Sequence, residues 1–126
     1  MANSIKNQQD ILVKLNIHTL NPMQLEAIAV IETTVNTILL SPTGTGKTLA
    51  FSLPLLKGFN SDWKDVQALI VVPTRELAIQ IEQVIRTMGS GFKVNAVYGG
   101  RPISKDKIEI KHAPAILIGT PGRLLD

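Results

Sequence analysis

The stretch Ser41, Pro42, Thr43, Gly44, Thr45, Gly46, Lys47 and Thr48, SPTGTGKT in one-letter code, carries the residue types that a phosphate chain needs, in a suitable order. Around Gly44 and Gly46, successive backbone N–H groups can turn toward one point and form a nest for anionic oxygens. A helix beginning beside them adds the positive end of its dipole. Lys47 would then reach the outer phosphates of a nucleoside triphosphate, and the Thr48 hydroxyl would coordinate Mg²⁺. The first position is Ser41 where the full glycine-rich signature has Gly, so a glycine-rich turn with an exposed lysine is the structural alternative. A phosphate loop names neither the nucleotide nor the work done with it.

A second candidate stands upstream in NPMQLEAI, residues 21–28. Asn21 can cap a helix and Pro22 suits its first turn. Gln24, placed three residues after the cap, can reach back to the Asn21 backbone N–H in a capping box, a role that requires no ligand. From these residues alone, capping accounts for Gln24.

The elements that would hold these residues follow from periodicity. A helix is expected over about residues 5–15, where Ile5, Leu12 and Leu15 share a stripe, and another from Asn21 to about Glu32. Four short apolar runs read as buried strands: TILLS at 37–41, ALIVVP at 68–73, KVNAVY at 93–98 and AILIGT at 115–120. Between the first two, GKTLAFSLPLLKGF predicts a helix that Pro54 can kink. Between the second and third, TRELAIQIEQVIRTMG sets Leu77, Ile81, Val84, Ile85 and Met88 on one helical stripe, with Gly89 as its stop. Strands alternating with helices predict βαβ units and a parallel sheet covered on both faces, hence an α/β domain. FNSDWKDVQ at 59–67 reads as a surface loop in which Trp63 covers a local apolar patch, and GGRPISKDKIEIKH at 99–112 as a polar connection.

Composition bounds the rest. With 126 residues, 44% of them apolar, one domain spanning residues 1–126 is expected. The 13 Lys and Arg against 10 Asp and Glu give a net charge of +3, compatible with a polyanionic partner without demonstrating one. The absence of cysteine excludes a disulfide framework and a thiolate metal site. The opening MANSIKNQQD is polar, and no apolar run approaches the roughly 20 residues of a membrane span. A soluble, cytoplasmic protein without a membrane partner is the expectation.

Three further strings follow the predicted strands. PTRELA at 73–78 follows the second, Gly99 and Gly100 follow the third, and TPGR at 120–123 follows the fourth. Together with PMQ at 22–24 and TGTGKT at 43–48, this ordered set resembles the first RecA-like domain of the DEAD-box RNA helicases, from about residue 16 onward. The resemblance implies a RecA-like P-loop NTPase fold, ATP and Mg²⁺ as cofactors, and RNA as a partner held through its backbone. It assigns the nucleotide to Gln24 and to Ser41, Pro42, Thr43, Gly44, Thr45, Gly46, Lys47 and Thr48. Lys47 and Thr48 become the catalytic residues, and Thr48 the Mg²⁺ ligand. In the family the glutamine matching Gln24 recognises adenine, and a carboxamide supplies one donor and one acceptor for adenine N7 and N6, a pair that guanine does not match.

RNA falls, by the same resemblance, to Pro73, Thr74, Arg75, Gly99, Gly100, Thr120, Pro121, Gly122 and Arg123. Strand-to-helix junctions and guanidinium groups can hold backbone phosphates, and glycines allow close approach; such contacts read backbone shape, not sequence. An exposed Arg75 paired with a carboxylate, and glycines that merely serve turns, are the structural alternatives. Two features depart from the family pattern. Asn16 and Ile17 stand where Gly-Phe is usual, and Asn7 where another aromatic is common, which implies that base stacking is weaker or supplied differently.

The 126 residues contain no Asp-Glu-Ala-Asp or Ser-Ala-Thr motif and no second RecA-like domain, so the resemblance reads them as the N-terminal part of a longer helicase, truncated before the DEAD motif. Hydrolysis and unwinding by this chain alone are expected to be negligible, since an arginine finger by itself contributes about 10³ to 10⁵ in rate. Exposed sheet edges would favour a homodimer or marginal stability. Another P-loop enzyme, such as a small-molecule kinase or GTPase, is a second reading, although no Asn-Lys-x-Asp guanine motif occurs. A non-catalytic RNA- or partner-binding module is a third.

Overall fold

The computed structural model describes residues 8–42, 46–99 and 112–125. Its helices begin where the local chemistry predicts. Helix α1 is Gln8–Lys14 and buries Ile11 and Leu12. Helix α2, Pro22–Thr33, is opened by the capping box: Gln24 N–H donates to Asn21 Oδ1 at 2.8 Å, and Asn21 N–H donates to Gln24 Oε1 at 2.9 Å. Helix α3, Lys47–Lys57, contains Pro54 and starts from Gly46 at φ +82°, a left-handed conformation that glycine adopts without Cβ strain.

Strand β1, Ala68–Val71, leads through Pro73 into helix α4, Arg75–Thr87, whose N-cap Thr74 accepts the Leu77 N–H through Oγ1 at 3.2 Å. The stripe expected for α4 is the stripe observed: Ile81, Ile85 and Met88 are buried, Leu77 and Val84 half-buried against the same core. Gly89 ends the turn at φ +60°. Strand β2 is Val94–Val97, strand β3 is Ile116–Gly119, and the short helix α5, Pro121–Leu124, follows β3 directly.

The three strands form one parallel sheet in the order β1-β3-β2. Val71, Gly119 and Val97 lie in register, so the strands end level with one another. The central strand is the most enclosed: Ile116 and Ile118 are fully buried, and they join Val94 and Ala96 of β2, the apolar face of α4, Leu49, Leu53 and Leu56 of α3, and Ile11 and Leu12 of α1 in one core.

Two expectations are corrected. TILLS at 37–41 is not a strand among the described residues, and its Ile38 and Leu40 are 87% and 89% exposed. A strand exists through hydrogen bonds to a neighbour, and no described segment pairs with this one. The sheet is likewise not covered on both faces throughout, because Leu69 and Val71 of β1 are exposed. Within the surface loop, Trp63 is exposed and lines an apolar groove with Phe51, Pro54, Leu55, Phe59 and Leu69. Ile5 and Asn7 of the first expected helix, and residues 100–111 of the polar connection, lie outside the described residues.

Candidate functional site

Parallel strands that end in register bring sequence-distant strings to one rim. After β1 come Pro73, Thr74 and Arg75; after β3 come Thr120, Pro121, Gly122 and Arg123; after β2 comes Gly99. Because β3 lies between the other two, the TPGR string lies between the other strings, and at the usual strand spacing the row extends over about 10 Å. Crevices beyond the carboxyl ends of parallel strands are the common ligand positions of such sheets.

Most residues along the rim are open to solvent. Pro73, Thr74, Arg75, Gly99, Pro121 and Gly122 are exposed, and Thr120 and Arg123 half-buried. Thr74 is occupied as the N-cap of α4, whereas Arg75 takes part in neither of the ion pairs found among the described residues, Lys57–Glu32 and Arg86–Glu82. Gly99 and Gly122 do not have positive φ, and a Cβ added to either would meet nothing within 4 Å. Neither turn geometry nor crowding among the described residues therefore requires glycine at these positions. Gly119 is the contrast, since a Cβ there would come within 2.6 Å of Leu124 Cγ and 2.9 Å of Val97 Cγ2. Its smallness lets α5 fold back on β3, a requirement that the strand pattern did not reveal.

The phosphate-loop residues approach the sheet from α3. Ser41 is half-buried, Pro42 exposed, Gly46 exposed, and Lys47 and Thr48 half-buried in the first turn of α3; Thr43, Gly44 and Thr45 lie outside the described residues, as does Gly100. Helices α2 and α4 are both capped by their own side chains, Asn21 and Thr74. Helix α3 has no side-chain cap and no acidic residue in its first turn. The N-terminal end of a helix favours anions through its dipole, and Lys47 adds a cation there. A polyphosphate fits this donor set. Among the described residues no cluster of three or more His, Cys, Asp or Glu could hold a metal.

Gln24 is buried and joins two elements. Besides the capping bond, its Nε2 donates to the Gly46 carbonyl at 3.3 Å, tying the start of α2 to the start of α3. Sequence reasoning missed this link, and no local signal announces a contact across 22 positions.

A small parallel sheet flanked by helices defines the class, an α/β unit of RecA type. The family model for DEAD/DEAH box helicases matches residues 21–126, and the chain belongs to that family. It is similar to the DEAD-box ATP-dependent RNA helicase CshA of Bacillus subtilis, 37% identical over 115 residues that make up 90% of this chain and 23% of that protein. It is also similar to the ATP-dependent RNA helicase dhh1 of Aspergillus clavatus, 44% identical over 108 residues, 84% of this chain and 22% of that protein. Among solved structures, a hypothetical ATP-dependent RNA helicase from Sulfolobus tokodaii matches 94% of this chain and 35% of its own, with TM-score 0.78 and 31% identity. The yeast DEAD-box splicing factor Prp28 matches 94% and 30%, with TM-score 0.80 and 28% identity. The chain thus spans less than a quarter of the length of these two curated relatives.

Proposed function

We propose that residues 1–126 act as the N-terminal part of the RecA-like ATP-binding domain of a cytoplasmic ATP-dependent RNA helicase, binding Mg-ATP at the start of α3 and RNA along the rim of the sheet. The start of α3 carries the reading: it has no side-chain cap and no acidic residue in its first turn, and it begins with Lys47 after Gly46 in the left-handed conformation. Thr43 to Gly46 and the Lys47 N–H would cradle the phosphates, with Ser41 and Pro42 leading into the turn. Lys47 would neutralise the outer phosphates and Thr48 would hold Mg²⁺. When bound, the nucleotide supplies the phosphoanhydride bond whose cleavage resets the cycle.

Gln24 would also read the base. Its two hydrogen bonds use one N–H of Nε2 and one lone pair of Oε1, leaving one donor and one acceptor for adenine. Thr74, Arg75, Gly99, Gly100 and Thr120 to Arg123, with Pro73 shaping the turn, would hold the RNA backbone without reading its sequence. The 126-residue chain alone would bind without appreciable hydrolysis, and self-association would cover the exposed Ile38 and Leu40 and the open edge of β1.

Calorimetric titration with Mg-ADP and Mg-GDP, on wild type and Lys47→Ala, tests the nucleotide half. ADP should bind at least tenfold more tightly than GDP, and Lys47→Ala should lose that binding while its melting temperature stays within a few degrees. Equal affinity for the two nucleotides, or unchanged ADP binding by Lys47→Ala, would overturn the reading.

A further inference from the structure

The sheet has two edges, and only one is open to another strand. Ala68 and Val72 donate their N–H groups toward β3, to the carbonyls of Ala115 and Gly119 at 3.1 and 3.0 Å. Peptide groups alternate in direction along a strand, so Leu69 and Val71 turn theirs to the outer side of β1. Among the described residues no hydrogen bond reaches them there. On the outer side of β2 the corresponding groups are already used, the Ala96 N–H by Glu82 and the Val94 carbonyl by Arg86. Head-to-tail addition of β1 of one copy to β2 of the next would have to displace both side chains, which disfavours an open-ended stack. An edge can still meet its own kind about a two-fold axis.

The side chains beside β1 suit such a meeting. Leu69 and Val71 are 57% and 56% exposed, and Trp63, 63% exposed, lines with them an apolar groove of about 750 Å³. The loop that presents Trp63 is pinned at its base: the Asn60 N–H donates to Gln67 Oε1 and Gln67 Nε2 donates to the Asn60 carbonyl, each at 2.8 Å. A held aromatic beside an apolar groove is the usual anchor of an interface, because little freedom is left to lose on binding. Joining two such edges would take on the order of 1,200 Å² from water, the low end for a stable complex, so association at micromolar concentration is expected.

We infer that β1 is a dimerisation edge: two copies pair antiparallel through it about a two-fold axis at Ile70, joining two three-stranded sheets into one. Leu69 and Val71 of each copy then exchange N–H···O bonds with Val71 and Leu69 of the other, and Ile70 faces its own counterpart. The inference rests on the self-association proposed above and gives it a definite surface and register.

Sedimentation velocity of the 126-residue chain over about 1–100 µM reads the association. Leu69→Lys sets charges into the paired edges from an exposed position, and should weaken the dimer roughly tenfold or more while melting stays within a few degrees. Ile38→Lys, on the exposed run outside the pairing, should change it by less than about twofold. The chain has no cysteine, so Ile70→Cys supplies a single thiol, whose Cα would lie about 4.5 Å from its counterpart's, within disulfide reach. Oxidised glutathione should convert it to a covalent dimer, and should not do so for Glu76→Cys on α4. If Ile70→Cys does not fold, the two lysine variants decide.

A dimer that survives Leu69→Lys, or one that forms without cross-linking through Ile70→Cys, would overturn the inference and leave self-association to another surface. Loss of the dimer in Ile38→Lys alone would assign it to residues 37–41 instead. A wild-type chain that stays monomeric up to about 100 µM would remove the self-association and this inference together.

Discussion

The two edges of the sheet are finished differently. At the β2 edge, Glu82 of α4 accepts the Ala96 N–H at 2.8 Å, and Arg86 donates to the Val94 carbonyl at 3.2 Å while pairing with Glu82. Side chains of one helix thus take the hydrogen bonds that another strand would have made. At the β1 edge, no hydrogen bond of a described side chain does the same, and elsewhere the apolar stretch that includes Ile38 and Leu40 lies exposed and unpaired among the described residues. The difference shows that an apolar run is only half of a strand, because a partner for its backbone decides whether it becomes one. The rim strings span both edges, with Pro73, Thr74 and Arg75 after β1 and Gly99 after β2.

Replacing the same residue type in a paired strand and in the unpaired apolar run gives the sharpest separation. Ile118→Ala, in the enclosed central strand, should cost about 2–5 kcal/mol of unfolding free energy, whereas Ile38→Ala should change it by less than about 0.5 kcal/mol. Chemical denaturation of both variants measures the contrast. A comparable loss in Ile38→Ala would mean that residues 37–41 pack against something in solution, and the comparison would fail.

Periodicity explains which features were legible. The α4 stripe, the Asn21 capping box, the Gly89 stop and three of the four strands are local in sequence, and each appears where the pattern puts it. TILLS has the same local pattern as AILIGT, and only the presence of neighbours, a non-local fact, separates an exposed Ile38 from a buried Ile118. The motif strings of the candidate site were legible: they are contiguous in sequence, and each follows an apolar run. Their order along the rim was not, since it requires knowing that β3 lies between β1 and β2. The Gln24–Gly46 bond and the crowding at Gly119 are contacts between distant positions with no periodic trace.

The closed edge itself can be opened. Glu82→Ala leaves the Ala96 N–H without its acceptor and Arg86 without its ion pair, so a loss of about 1–3 kcal/mol is expected. Amide exchange at Ala96 should rise with it, because the donor becomes available to water. If stability and Ala96 exchange are both unchanged, the edge is sealed by something other than Glu82, and the two edges differ less than these hydrogen bonds imply.

The smallest effect on folding separates what the fold needs from what a ligand needs. Gly122 lies in the first turn of α5 with open space where a Cβ would go, so Gly122→Ala should leave stability unchanged or raise it by up to about 1 kcal/mol, as alanine favours a helix. RNA held close to that backbone would nevertheless be pushed away, and binding of a short single strand should weaken several-fold. Arg75→Ala should weaken it similarly and also flatten the salt dependence by about one counterion, with no change in melting. Removing a methyl-sized space would then act on the ligand without removing a charge, and removing a charge would act without touching the space. If Gly122→Ala binds RNA as well as wild type, the glycine at the centre of the rim has no ligand to accommodate, and Arg75 would have to hold the strand from the β1 side alone.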